Sequence, residues 1–159
     1  MQFFSETDER IDTVNDDIRL IQKKNGLTFG TDALLLASYI QEKSDSAAME
    51  LGGGSGIISL LVLTRKKAGS VTIAEIQASY AELCKRNAVL NGLGDAVKVL
   101  HTDVRALSPA EDDGTYQFVF IIPLIWSMRV SSIKPKKKPL RGTSFRAALR
   151  IFAPPLKRS

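Results

Sequence analysis

The chain has 159 residues, 44% of them apolar, and a formal net charge of +5, which together predict one globular domain with a hydrophobic core. No apolar stretch reaches the roughly twenty residues that a transmembrane helix requires, and the amino terminus, MQFF followed by acidic residues, lacks a signal-peptide pattern. The single cysteine, Cys84, excludes an internal disulfide framework, and because no histidine is suitably spaced from it, it also argues against a metal site. We therefore expect a cytoplasmic protein, a monomer, that binds neither a metal nor a membrane.

Predicted strands and helices alternate along the first 120 residues. Helices are predicted at 32–42, 56–68, 78–90 and 104–107, and strands at 47–51, 70–75, 97–101 and 116–122. Gly69 and Asn91-Gly92 are suitable stop signals for two of the helices. The alternation predicts an α/β fold with a parallel sheet, right-handed crossovers and flanking helices, of which four strands are evident.

A glycine-rich segment, ELGGGSG at residues 50–56, lies between the first of these strands and an apolar helix. Glycine at alternate positions allows a sharp turn and a close approach to a ligand. Glu75 ends the next strand, about twenty residues later, where a carboxylate can accept hydrogen bonds from ribose hydroxyls. A dinucleotide fingerprint would need a third glycine at position 57, which is Ile57. The glycines alone are also compatible with a plain turn in an α/β domain.

The pattern E-x-G-x-G-x-G is the form seen in class I S-adenosylmethionine methyltransferases. Further segments, which follow one another along the chain in the family's order, resemble the amino-terminal part of the tRNA1(Val) adenine-N6 methyltransferase family, a group of small-domain methyltransferases. The resemblance covers roughly residues 9 to 120. The segments that carry it are 9–12 (ERID), 21–22 (IQ), 29–36 (FGTDALLL), 74–77 (AEIQ) and 87–91 (NAVLN).

This resemblance implies a Rossmann-like fold, S-adenosylmethionine as cofactor, tRNA as substrate and a set of cofactor-binding residues. The segment from Phe29 to Asp32 would close over the methionine end of the cofactor, Glu75 would hold the ribose, and Asp103 would lie near the adenine amino group. Thr31 or Asp32 taken alone would also suit a helix N-cap. The full implied set is Phe29, Thr31, Asp32, Glu50, Gly52, Gly54, Gly56, Glu75, Ile76 and Asp103.

The catalytic motif that the family implies is absent. An N6-adenine methyltransferase should show Asn-Pro-Pro-Tyr after the fourth strand, where the amide and a prolyl carbonyl orient the adenine amine and the ring stacks on the displaced base. This chain has IPLI there, as Ile122, Pro123, Leu124 and Ile125. With no acceptor side chain in that motif, we expect no catalytic residue to be intact and this copy to be inactive.

The charge is distributed unevenly, which predicts two regions. Residues 1–120 contain 12 basic and all 17 acidic residues, a net −5, whereas residues 121–159 contain ten basic residues, no acidic one and five of the six prolines. We therefore expect a cofactor-binding domain at 1–120 and a basic, proline-rich tail at 121–159. Such a tail is compatible with an arm that neutralises RNA phosphates or with a solvated segment of no selected role.

A frameshift near codon 121 would explain both the tail and the missing motif. If residues 122–127 are encoded ATC-CCC-CTT-ATA-TGG-AGT after a codon ending in A, reading one base earlier gives Asn-Pro-Pro-Tyr-Met-Glu. With permitted codons the same shift turns 140–145 into Ala-Ser-Arg-His-Glu-Phe and 149–153 into Leu-Glu-Asp-Ile-Cys. Both resemble the family's downstream sequence in the correct order, so the carboxy-terminal part is interpreted as frameshifted and truncated.

Two other classes of protein remain as alternatives. A non-catalytic module that binds S-adenosylmethionine or RNA would give the basic tail a function. A nicotinamide-dependent oxidoreductase could use Glu75 on an adenosine ribose, although Ile57 disfavours the pyrophosphate turn. His101, the only histidine, ends a predicted strand with no nucleophile beside it in sequence, so it is interpreted as a structural residue.

The frameshift makes a direct prediction about the coding DNA. Shifting the reading frame by one base near codon 121 should open a frame that encodes Asn-Pro-Pro-Tyr, then Arg-His-Glu, then Leu-Glu-Asp-Ile-Cys. Sequencing the locus tests this. Stop codons or unrelated residues in that frame would reject the frameshift, and the basic tail would then need an explanation of its own.

Overall fold

Strands and helices alternate in the computed structural model, which describes residues 8–107 and 115–123. The strands are β1 (Glu9–Thr13), β2 (Arg19–Lys23), β3 (Ala47–Leu51), β4 (Ser70–Glu75), β5 (Val97–His101) and β6 (Phe118–Ile121). The helices are α1 (Thr31–Tyr39), α2 (Ile57–Thr64) and α3 (Ala78–Leu90), with short 3-10 helices at Gly94–Ala96 and Val104–Ala106.

Four strands form one parallel sheet in the order β5-β4-β3-β6, which confirms the predicted α/β architecture. The chain proceeds outward from β3 to β4 and β5, and then returns to place β6 on the other side of β3. In open α/β sheets a ligand crevice forms outside the carboxyl ends of the strands where the strand order reverses in this way. The topology therefore places the crevice beside the carboxyl end of β3.

The helices pack on one face of this sheet. Ala48, Val71, Ile73 and Phe120 point from alternate strand positions into a buried cluster with the apolar residues of α1 and α2. Nearly every residue of α2 is buried, which explains why this helix reads as a continuous apolar run. On the opposite face, a smaller buried group contacts Val104, Leu107 and Tyr116; its members are Met49, Leu51 and Ala74.

An antiparallel hairpin precedes the parallel sheet and was not expected from the sequence. β1 pairs with β2 from Glu9 opposite Lys23 to Thr13 opposite Arg19. The segment ERIDT in β1 is largely charged and exposed, so it carries little of the apolar alternation by which strands are recognised. The hairpin is held by contacts with α3 that are remote in sequence.

Asn87 of α3 and Asn91, the residue that caps the end of α3, bind the edge of β2 in the way that a neighbouring strand would. Asn87 Oδ1 accepts a hydrogen bond from Ile21 N at 2.7 Å, and Asn87 Nδ2 donates to Ile21 O at 3.0 Å. Asn91 repeats the pattern with Arg19 N and O at 2.9 and 2.8 Å. Residues four apart share a helix face, and residues two apart on a strand share an edge, so the two spacings match.

Asn87 also reaches the glycine-rich segment, because its Nδ2 donates to Ser55 O at 2.8 Å. A second link between α3 and the hairpin is the ion pair of Arg86 with the buried Glu9, at 2.9 and 2.7 Å. Pairing with a guanidinium in a two-point geometry compensates the burial of that carboxylate. The hairpin, α3 and the glycine-rich segment are therefore joined as one unit.

Some element boundaries differ from the prediction. α1 spans 31–39 rather than 32–42, α2 spans 57–64 rather than 56–68, and β6 spans 118–121 rather than 116–122. α2 stops early because Lys66 adopts a φ of 55°, a left-handed conformation that no helix continues through. Lys67 Nζ then donates to Ser38 O at 2.7 Å and to Ile40 O, which satisfies carbonyls at the end of α1.

We predict that Asn87→Ala is the most damaging single amide deletion in the described chain. It leaves buried backbone groups of Ile21 and Ser55 without partners, and each such group costs about 1–3 kcal/mol. Asn91→Ala removes the equivalent bonds at a more exposed position and should cost less. Urea denaturation of both variants measures the difference, and equal losses of unfolding free energy would contradict the role assigned to Asn87.

Candidate functional site

The glycine-rich segment forms a tight loop from β3 to α2. Gly52, Gly54 and Gly56 have φ values of 74°, 55° and 79°, in the region that residues with a Cβ rarely adopt. Gly53, which the sequence pattern did not single out, is required for another reason: a Cβ there would lie 2.3 Å from Ile73 Cγ2. The loop is thus fixed by backbone conformation and by close packing on the sheet.

Glu75, at the carboxyl end of β4, anchors this loop. Its Oε2 accepts a hydrogen bond from Gly54 N at 3.0 Å, and its Oε1 accepts one from Gln77 N at 2.8 Å. The side chain is buried, with 4% of the residue exposed. A carboxylate has about four acceptor positions, so these two bonds leave capacity for further donors. Glu75 therefore orders the loop and can also accept from a ligand.

Glu50, next to the last residue of β3, supports the start of α2. Its Oε2 accepts hydrogen bonds from Ser59 N at 3.2 Å and from Ser59 Oγ. Burial raises the pKa of Glu50 to about 8, because the Ser59 hydrogen bonds offset the loss of hydration only in part and the negative charge of Glu75 adds to the rise. At neutral pH the Glu50 carboxyl group is mostly protonated.

A cavity of about 330 Å³ opens at the carboxyl edge of the sheet, within the roughly 300–1,000 Å³ usual for ligand pockets. Its walls come from residues 50–55, 57–58, 74–77, 103–104 and 121–123, and residues 27–30 with 32–33 close one side. Of the predicted cofactor-binding residues, eight line the cavity: Phe29, Asp32, Glu50, Gly52, Gly54, Glu75, Ile76 and Asp103. Thr31 and Gly56 are not among the lining residues; Gly56 contributes only its part of the turn.

The segment before α1 is positioned by hydrogen bonds from other elements. Gln22 Oε1 accepts from Phe29 N at 3.4 Å, and Tyr80 Oη accepts from Leu27 N at 2.9 Å. Gly26 passes so close that a Cβ there would lie 2.7 Å from Tyr80 Oη. The hairpin and α3 therefore hold the wall of the cavity that Phe29 contributes.

The expectation that Thr31 or Asp32 caps α1 is wrong. Gly30 is the N-cap residue and makes no side-chain cap bond, and both Thr31 and Asp32 already lie in the first helical turn. The Asp32 carboxylate accepts only from the adjacent Ala33 N, at 3.0 Å. An acidic residue in the first turn still interacts favourably with the helix dipole.

Asp103 follows β5 and caps the short helix at 104–106. Its carboxylate accepts from Arg105 N at 2.9 Å and pairs with the exposed Arg105 guanidinium. The hydrogen bonds from Arg105 lower the pKa of Asp103 to about 2, so its carboxylate is ionised at neutral pH. Asp103 thus provides a charged acceptor at the edge of the cavity.

The end of β6 contributes apolar groups to the cavity. Ile121, Ile122 and Pro123 line it, and none of these three side chains can accept a hydrogen bond. Leu124 and Ile125, the remaining positions of the expected motif, lie outside the described residues. The described part of this wall therefore offers no side chain that could orient a substrate amine.

Cys84 and His101 have structural positions. Cys84 is buried, as predicted, and its thiol donates to Gly54 O at 3.1 Å. Burial raises the pKa of this thiol, which removes its nucleophilic character. His101 Nε2 lies 3.1 Å from Ile76 O at the end of β5. Within residues 8–107 and 115–123 no group of three or more metal-ligating side chains is assembled.

The cavity has an acidic lining. Four of its lining residues are acidic, whereas none is Lys, Arg or His; the four are Asp32, Glu50, Glu75 and Asp103. An anionic pyrophosphate would meet these acids with no cation to bind it, and Gly54 N is already engaged by Glu75. The lining instead suits a ligand with hydroxyl donors and a positive charge, as an adenosine sulfonium compound has. This set of acidic hydrogen-bond acceptors fits S-adenosylmethionine better than a nicotinamide dinucleotide.

Comparisons with known proteins agree with this geometry. The family model described as the methyltransferase small domain matches residues 23–126. The tRNA1(Val) (adenine(37)-N6)-methyltransferase of Vibrio parahaemolyticus is 25% identical over 88 residues, which are 55% of this chain and 37% of that protein. The protein of the same name from Shewanella baltica is 34% identical over 62 residues, 39% of this chain and 26% of that one. The chain thus matches about a quarter to a third of each relative.

A solved structure shows the same fold. M. jannaschii TYW2 in complex with AdoMet superposes with a TM-score of 0.56 at 13% sequence identity, and the match covers 66% of this chain and 48% of that one. At this identity the likeness supports the fold alone. In the part of the chain that the structure describes, no helix is long and apolar enough to cross a membrane.

We predict that Glu50 makes the protein less stable as the pH rises. Because the pKa of Glu50 is raised in the folded state, that state retains a proton that the unfolded chain loses. Its contribution to the unfolding free energy therefore falls from about pH 4.5 to about pH 8. Glu50→Gln should remove this decline and stabilise the protein by roughly 2–4 kcal/mol at pH 8, with little effect at pH 4.5.

Urea denaturation at several pH values measures this effect. Glu42→Gln makes the same substitution at an exposed position of the described surface and serves as the control. If the unfolding free energies of the wild type and Glu50→Gln change with pH in parallel, Glu50 is not the acid that makes the protein less stable at high pH.

Proposed function

The chain belongs to the methyltransferase small domain family, and we propose that its residues 8–107 and 115–123 bind S-adenosylmethionine in the cavity at the carboxyl edge of the sheet. The observation that carries the proposal is the combination of a glycine loop with positive φ angles and the buried Glu75 bonded to it. That carboxylate lies at the end of the second parallel strand, where an acid can bind ribose hydroxyls.

Each wall of the cavity has a proposed role toward the cofactor. Glu75 accepts from the ribose hydroxyls, and the loop from Gly52 to Gly56 allows close approach beneath the ligand. Phe29, with Thr31 and Asp32 after it, closes over the methionine end, while Ile76 and Asp103 flank the adenine. When bound, the cofactor would supply a methyl group on a positively charged sulfur. The acidic lining supports the binding of that charge.

The proposed activity of the complete family fold is methylation of adenine N6 in tRNA. The names of the two bacterial relatives support this substrate, and the matched part of this chain spans 37% of one relative and 26% of the other. The present chain is proposed to lack the transfer activity, because Ile122 stands where an acceptor side chain is needed to orient the amine. The tail from 121 to 159 is proposed to be out of frame.

A second candidate is a non-catalytic module that binds S-adenosylmethionine or RNA. The specific observation in its favour is that eight of the ten predicted cofactor-binding residues line the cavity, whereas the lining residues from the end of β6 are apolar. The basic composition of residues 121–159 would then supply an RNA-binding surface. This candidate predicts salt-sensitive RNA binding without methyl transfer.

The cofactor assignment predicts that Glu75→Ala weakens binding of S-adenosylmethionine by about 1–3 kcal/mol, the scale for removing the partner of buried polar groups. Isothermal titration calorimetry measures the affinity, and NAD is titrated for comparison. Glu82→Ala, which removes an exposed carboxylate of α3, is the matched control. Unchanged affinity in a folded Glu75→Ala variant would refute the ribose assignment.

The apolar wall predicts no methyl transfer to tRNA even at saturating S-adenosylmethionine. Radiolabelled cofactor and unmodified tRNA measure incorporation, with the Vibrio parahaemolyticus relative as a positive control. Incorporation above background by this chain would show that an acceptor side chain at position 122 is dispensable, and the proposed inactivity would be wrong.

A further inference from the structure

Glu50 is the most deeply buried acid that faces the cavity, with 1% of the residue exposed. Its two hydrogen bonds both come from Ser59, through the backbone N–H and the hydroxyl group. Nothing in this arrangement supplies a positive charge. A buried carboxyl group without a cation favours its neutral form, since ionisation would place an uncompensated charge in a poorly hydrated site.

The surroundings of Glu50 contain other acids but no base among the described lining residues. Glu75 on the neighbouring β4 adds negative charge, and Phe120 on β6 is apolar. Glu50 contacts Ser59 of α2, and the buried Cys84 thiol of α3 interacts with it electrostatically. Two further carboxylates face the same cavity, Asp32 at the start of α1 and Asp103 after β5.

The other three acidic residues of the cavity differ from Glu50 in their contacts. Glu75 accepts two backbone N–H bonds. Asp103 is paired with Arg105, and Asp32 is exposed. Glu50 is buried with Ser59 as its hydrogen-bond partner and has no cation beside it among the lining residues, so we expect its protonation to respond when a charge enters the cavity. The Ser59 hydroxyl can donate to an ionised carboxylate or accept from a neutral carboxyl group, so their contact persists in both states.

We propose that Glu50 makes the cavity selective for positively charged adenosine ligands by exchanging its proton for the charge of the ligand. The Glu50 carboxyl group is neutral in the free protein and ionised when a cation is bound, and its proton passes to the solvent. This inference rests on the proposed cofactor site and adds to it the basis of its charge selectivity. The attraction between the ionised carboxylate and the cation, in a poorly hydrated cavity, offsets the unfavourable ionisation.

Two ligands separate the effect of the sulfonium charge from the rest of the molecule. S-adenosylmethionine and S-adenosylhomocysteine share the adenosine and amino-acid groups, but the second has a neutral thioether. At pH 6.5, where free Glu50 is protonated, binding of the sulfonium compound should release about half to one proton more than binding of the thioether. Its affinity should also rise severalfold between pH 6 and pH 8.

Isothermal titration calorimetry counts the protons when each ligand is titrated in two buffers of different ionisation enthalpy. We expect Glu50→Gln to release the same number of protons when it binds either ligand. Its affinity for S-adenosylmethionine should depend less on pH than that of the wild type. Equal proton release by the wild type and Glu50→Gln would overturn the proposal. If neither ligand binds to the folded wild type, the proposed cofactor site itself is refuted.

Ser59→Ala provides an independent variant that keeps the carboxyl group in place. It removes the hydroxyl donor that favours ionised Glu50, so the rise in affinity for S-adenosylmethionine should move to higher pH. An unchanged pH profile in folded Ser59→Ala would contradict the exchange at Glu50, even if Glu50→Gln failed to fold.

Discussion

The amide of Asn87 is the interaction on which the rest of the described structure depends. This fully buried side chain joins three elements, because it pairs with the backbone of Ile21 in β2 while it extends from α3 and donates to Ser55 in the glycine loop. From the hairpin, Gln22 reaches Phe29 and so sets one wall of the cavity. A charged hairpin with little apolar surface thus gains a fixed position from a helix that itself packs on the sheet.

Glu50 and Glu75 each serve the backbone and the cavity together. Glu75 holds the loop at Gly54 and the start of α3 at Gln77, while Glu50 holds the first turn of α2 at Ser59. Removing two carboxyl groups from water is unfavourable, and no cation among the lining residues compensates them. A core built only for stability would have little reason to retain such groups. Their burial beside one cavity is understandable if a positively charged ligand completes the site.

The sequence predicted those parts of the fold that local patterns determine. The strands at 47–51, 70–75 and 97–101 agree with the structure. Each is a short, mainly apolar run with turn or loop residues on both sides. The hairpin was missed because its position depends on Asn87 and Asn91, 66 and 72 residues away. The sequence does not predict the need for Gly53 for a similar reason, since the contact with Ile73 that requires a glycine there exists only in the folded sheet. The glycine spacing and Glu75 indicated the site, whereas the protonation of Glu50 follows from burial, which no motif reveals.

Among the described strands, the two outermost ones of the parallel sheet differ in composition. β5 carries the charged Lys98, the kind of residue that protects an edge from further pairing, whereas β6 reads FVFI without charge or proline. Val119 and Ile121 are 46% and 50% exposed, although a strand apolar on both faces is typical of the interior of a parallel sheet. The proposed cofactor side of the cavity is lined by the segment before α1 and by residues at the carboxyl ends of β3, β4 and β5, away from β6. In the proposed function a substrate amine is oriented at the end of β6, on a different wall of the cavity, so the proposed binding of the cofactor is physically separable from methyl transfer.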